Sequence, residues 1–113
     1  MNNSVLQKYD LIMQKTSEKF NGIVSGSPIA NYIFSFRHPD DIDDFVADLD
    51  LALSGNFSGI DDPDYGDGLA KSYWFAHITP DHFELWQEGY PKTIIPLEDW
   101  KEILLSWKEC LEV

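Results

Sequence analysis

Apolar residues recur along this chain with two periods, one near 3.6 and one of 2, and the changes between them divide it into elements. Over residues 4–20, Val5, Tyr9, Ile12, Met13, Thr16 and Phe20 fall three and four apart, with Asn3 or Ser4 to cap the start and Gly22 to end the run. That spacing predicts an amphipathic helix. Residues 29–36 are dense in β-branched and aromatic side chains between Gly26-Ser27-Pro28 and His38-Pro39, which predicts a buried strand. Residues 40–53 carry the clearest helical pattern, because Ile42, Phe45, Val46, Leu49, Ala52 and Leu53 share one stripe, Asp40 and Asp41 lie at the positive end of the dipole, and Gly55 supplies a stop.

Beyond this helix the periodicity lapses. Residues 56–71 hold three Gly, one Pro and four Asp, the composition of a long surface loop, and loops over about 12 residues in a compact domain are usually functional or disordered. Residues 72–78 and 82–87 alternate as two strands joined through Thr79-Pro80-Asp81, a hairpin. Two registers fit: pairing His77 with His82 sets Tyr73 opposite Trp86, and pairing Ile78 with His82 sets Trp74 there. A last helix opens at Pro96 and buries Leu97, Trp100, Ile103, Leu104, Trp107 and Leu111. The order helix, strand, helix, loop, hairpin, helix lacks regular βαβ alternation and predicts one α+β domain over residues 1–113, three helices packed on a largely antiparallel sheet.

Composition adds one strong feature. The chain of 113 residues has a formal net charge of -12, and the segment from His38 to Ala70 holds ten Asp (40, 41, 43, 44, 48, 50, 61, 62, 64 and 67) without a single Lys or Arg. Asp40 and Asp41 are explained as helix-start residues. Asp44 and Asp48 repel one another across one turn of the outer face, and no base lies near them in sequence. Such acidity disfavours nucleic acid and anionic membrane surfaces as partners. A lone cysteine, no leader-like N-terminal segment and no apolar run long enough to span a bilayer point to a cytoplasmic setting.

Candidate chemistry is sparse. Counted from Asp62, the Asp-rich loop lacks the fifth-position ligand of an EF-hand and has Tyr73 where the twelfth-position Glu belongs, which excludes that calcium site. His77, His82 and Glu84 could converge on the hairpin as metal ligands or an acid/base pair, but the sequence supplies no evident third ligand, phosphate loop or nucleophile elbow. Cys110 reads as a packing residue. The residues therefore predict no catalytic function, cofactor or metal. They predict a contact surface of Asp44, Asp48, Asp61, Asp62, Asp64, Tyr65, Asp67 and Trp86, in which carboxylates steer encounter and aromatic groups slow dissociation.

Three stretches carry a family likeness: Asp44-Phe45-Val46-Ala47-Asp48-Leu49 running into Ala52-Leu53-Ser54-Gly55, then Tyr73-Trp74-Phe75, then Ile95-Pro96-Leu97-Glu98-Asp99-Trp100-Lys101-Glu102-Ile103-Leu104. Over about the last three quarters of its length the chain resembles immunity proteins of bacterial contact-dependent growth inhibition and related polymorphic toxin systems. That resemblance implies a protein that binds and neutralises a cognate toxin domain, with no shared catalytic residues. The acidity suggests a basic nuclease, an RNase first, as the partner. A nucleic-acid mimic that inhibits a DNA-binding protein is the alternative, and a small metal-dependent enzyme built on the hairpin His residues is a third.

Overall fold

The computed structural model describes residues 1–66 and 73–112. In chain order its elements are helix α1 (Asn3–Lys8), strands β1 (Leu11–Lys15) and β2 (Gly22–Gly26), helices α2 (Ile29–Phe34) and α3 (Pro39–Leu53), strands β3 (Trp74–Ile78), β4 (His82–Gln87) and β5 (Thr93–Pro96), and helix α4 (Leu97–Leu111). The fold class is α+β, with antiparallel sheets of two and three strands and four helices among the described residues. The chain divides into two compact units, Met1–Val46 with Lys101–Val113, and Ala47–Trp100. No helix among the described residues is long and apolar enough to cross a membrane.

In the first unit the C-terminal half of the expected long helix is a strand. Asn2 caps α1 by accepting from the Val5 N–H at 3.3 Å, but Asp10 adopts a left-handed φ of 53° and the helix stops. The helical stripe read from the sequence omitted Leu6 and Leu11, both buried, and included Ile12, which is 58% exposed. From Leu11 onward Leu11 and Met13 turn inward while Ile12 and Gln14 turn outward, and β1 pairs with β2 from Leu11↔Gly26 to Lys15↔Gly22.

The expected strand over residues 29–36 is instead α2. Ile29, Ala30, Tyr32 and Ile33 are all buried, a helical spacing, so the β-branched and aromatic density there reflects burial rather than strand geometry. α3 and α4 appear where the periodicity placed them. Ile42 and Phe45 of α3 and Ile103, Leu104, Trp107, Cys110 and Leu111 of α4 complete this unit's buried set, and the Trp107 indole N–H donates to the Phe36 carbonyl at 2.6 Å. Burial holds the Cys110 thiol above its ordinary pKa, in keeping with a packing role.

The second unit is built around the meander β3-β4-β5. Trp74, Ala76, Ile78, Phe83, Leu85 and Ile95 are buried with Leu49 and Ala52 of α3 and Leu97 and Trp100 of α4, and the Phe83 and Trp100 rings stack at 4.5 Å. β5 had no counterpart in the expected elements. Pro96 closes it rather than opening the helix, at a strand end where a missing N–H is tolerated, and α4 begins at Leu97 with Glu98 and Asp99 in its first turn.

Two glycines separate conformational strain from steric exclusion. Gly55 (φ 83°) has open space where a Cβ would stand, whereas at Gly26 (φ 114°) that atom would lie 2.0 Å from the Asp10 carbonyl oxygen. Gly55→Ala is expected to cost about 1–2 kcal/mol, the strain alone, and Gly26→Ala distinctly more, as read from urea denaturation midpoints.

Candidate partner-binding surface

The β3–β4 register decides which side chains reach the open face of the sheet. Ile78 pairs with Phe83, His77 with Glu84 and Phe75 with Trp86, so neither register anticipated from the sequence occurs. Thr79 is the reason: its backbone N–H and its hydroxyl both donate to the His82 carbonyl, at 2.8 and 2.9 Å, and its Oγ1 accepts from the N–H groups of Asp81 and His82. Thr79 and His82 therefore face one another across Pro80-Asp81, with Ile78 and Phe83 as the next pair.

With this register Phe75, His77, Glu84 and Trp86 turn away from the core. Their rings form a row in which Tyr73 meets Phe75 edge-on at 4.7 Å, Phe75 stacks on Trp86 at 5.1 Å, and His77 meets Trp86 edge-on at 5.5 Å. Ile94 lies on the same side, cross-strand from Glu84 and half exposed. Trp86 thus gains an aromatic neighbour as expected, but the neighbour is Phe75.

Carboxylates border this row. The Pro63 carbonyl accepts from the Ile78 N–H at 3.0 Å and the Tyr65 N–H donates to the Ala76 carbonyl at 2.8 Å, so residues 63–65 run antiparallel along the outer edge of β3. Asp64 is thereby set 3.7 Å from the His77 Nε2. Its Oδ1 also accepts from the Gly66 N–H, and the Asp62 Oδ1 accepts from the Asp64 N–H, a chain of local turns that fixes the path. Asp61, Asp62 and Asp64 are exposed. On the opposite side of the row Glu84 accepts from His82 at 3.0 Å and lies 3.5 Å from the Lys92 ammonium. The His82 hydrogen bond, helped by Lys92, holds the Glu84 carboxyl below the ordinary glutamate range against the opposing effect of burial.

The remaining expected contact residues divide. The Tyr65 hydroxyl donates to Asp48 Oδ2, which turns Tyr65 toward α3 and ties the acidic segment to that helix. Asp44 is exposed, one helical turn before Asp48. Asp67 lies outside the described residues. Asp43 is not an uncompensated charge: Lys108 of α4 reaches it at 2.6 Å, a base 65 positions away that a scan along neighbouring residues does not register. The hairpin histidines take separate carboxylate partners, His77 with Asp64 and His82 with Glu84, and among the described residues no three His, Cys, Asp or Glu are placed to hold a metal ion.

No family model, curated protein or solved structure matches the chain. The surface must therefore be read from its own chemistry. Tyr73, Phe75, His77, Glu84, Lys92 and Ile94 join it in addition to the contact residues expected from the sequence. The alternation Trp74-Phe75-Ala76-His77-Ile78 contained the signal, since a small Ala between two large apolar residues marks the packed side and leaves Phe75 and His77 on the other.

Tyr65→Phe removes one hydrogen bond to a carboxylate and is expected to lower stability by about 1 kcal/mol in thermal or urea unfolding. Because the folded-state pKa of Glu84 is depressed, its contribution is present above the ordinary glutamate value and is lost as pH falls through the lower folded value. The stability difference between wild type and Glu84→Gln should therefore be full near pH 6 and shrink below about pH 4.5, measured by urea unfolding across that range.

Proposed function

We propose that this protein is an immunity protein that neutralises a cognate basic toxin domain by laying the aromatic face of its three-stranded sheet, with the acidic segment beside it, over the toxin's active cleft. The observation that carries this reading is the row Tyr73, Phe75, Trp86 and His77 on the open side of the sheet, with Asp64 held against its edge by main-chain hydrogen bonds. Aromatic side chains surrounded by polar groups are the composition of interface hot spots, and their stacking keeps the rings ordered before a partner arrives.

Carboxylates supply the complementary half. Asp61, Asp62 and Asp64 are exposed beside the row, and the protein as a whole carries -12, so a basic partner is drawn in by the long-range field and held by the rings. A nuclease fits this description best, because its cleft is built to receive phosphate charge, and an RNase remains the first choice among nucleases. Tyr65 engages Asp48 and Lys108 engages Asp43, so these two carboxylates serve the protein internally; this favours a mixed aromatic and acidic contact over a mimic with evenly displayed charge.

Two variants separate the parts of the proposal in a binding experiment with the toxin domain encoded next to this gene. Trp86→Ala should weaken the complex about 30-fold or more, mainly through faster dissociation. Replacing Asp61, Asp62 and Asp64 together by Lys should slow association about tenfold or more and flatten its salt dependence. The absence of a co-purifying neighbour-encoded toxin, or association that does not respond to salt, would overturn the reading.

A further inference from the structure

Glu84 and Trp86 are two residues apart on β4, so their side chains leave the sheet on the same side. Lys92, from the segment joining β4 to β5, reaches back over them. Its ammonium lies 4.5 Å from the centroid of the Trp86 ring and 3.5 Å from Glu84 Oε2. A π face and a carboxylate converging on one point are the two groups that recognise an organic cation, and in this protein a cation already sits between them.

The receptor is more enclosed than its occupant. The Glu84 side chain is 20% exposed and that of Lys92 51%, so the carboxylate belongs to the sheet surface while the lysine rests on it. His82 secures the other Glu84 oxygen at 3.0 Å, so the carboxylate stays oriented whatever cation faces it. Phe75 stacks on Trp86 at 5.1 Å with the planes 13° apart, which fixes the indole plane as a platform. An arginine would use this arrangement better than a lysine, because a planar guanidinium stacks on the indole and presents paired N–H donors to the carboxylate.

We propose that Trp86 and Glu84 form an arginine subsite and that Lys92 is its resident occupant, displaced when a basic partner docks. The inference rests on reading the sheet face as the partner-binding surface, and it names the chemistry that surface selects. A tethered lysine excludes weak cations by competition. A partner lysine would exchange like for like, whereas an arginine exchanges a point charge for a stacked and forked contact.

The whole chain can be tested without any toxin, with N-acetylargininamide and N-acetyllysinamide as probes and the Trp86 indole N–H resonance, assigned through Trp86→Phe, as the readout. The arginine probe should shift that resonance at lower concentration than the lysine probe. Lys92→Gln should tighten the arginine probe about threefold or more, the competition lost from one exposed cation–π contact, whereas the charge-matched Lys15→Gln should leave it unchanged. Glu84→Gln should abolish the preference for arginine. Equal affinity in Lys92→Gln and Lys15→Gln, or no preference between the probes, would overturn the subsite. If Glu84→Gln fails to fold, the comparison of the two lysine variants decides alone. Toxin binding without a probe response would overturn the subsite and leave the immunity reading standing; a probe response from a protein that binds no neighbour-encoded toxin would do the reverse.

Discussion

Thr79 closes the β3–β4 loop with both its backbone N–H and its hydroxyl on the His82 carbonyl, and the faces of the three-stranded sheet follow from that closure. Because strand side chains alternate, a slip of one residue would carry Trp74, Ala76 and Ile78 to solvent and press Phe75 and His77 into the core. With the observed register the inward set meets Trp100, and the outward set becomes a row of stacked rings. A packed side and an exposed aromatic row are two outcomes of a single hydrogen-bonded turn.

The ten clustered aspartates, uniform as a composition, meet different environments once folded. Asp40 and Asp41 occupy the first turn of α3 and complement its dipole. Asp43 draws in Lys108, whose ammonium is held above its ordinary pKa chiefly by that hydrogen bond. Asp48 receives the Tyr65 hydroxyl. Asp61, Asp62 and Asp64 stand exposed at the border of the aromatic row. Charge that a scan along the sequence treats as one block is thus divided between internal structure and the surface.

Long helices and the alternating hairpin were legible in the sequence, and the short helices were not. α3 and α4 each run for 15 residues, long enough for the apolar stripe to outweigh local ambiguity. α1 and α2 have only six residues each, fewer than two turns, and over that length a helical stripe and a strand-like run of apolar residues resemble one another. The pivotal residue at the N-terminus was Asp10, whose left-handed backbone ends a helix that the spacing of Val5, Tyr9 and Ile12 would have continued. For the surface, Trp86 and the acidic loop could be named from residue type alone. Phe75 and Tyr73 needed the alternation of their strand to set their face and its register to set their neighbours, and Lys92 needed the turn that brings it back over the strand.

The segment of residues 63–65 is attached to β3 through the Pro63 carbonyl and the Tyr65 N–H, groups that every amino acid other than proline at the donor position would retain. That pairing with β3 is consequently independent of the side chain at position 64, which faces the border of the aromatic row and adds only its hydrogen bond to the Gly66 N–H. Such a backbone-anchored edge gives an evolving lineage freedom to rewrite its outward chemistry by single codon changes while the hairpin beneath stays as it is.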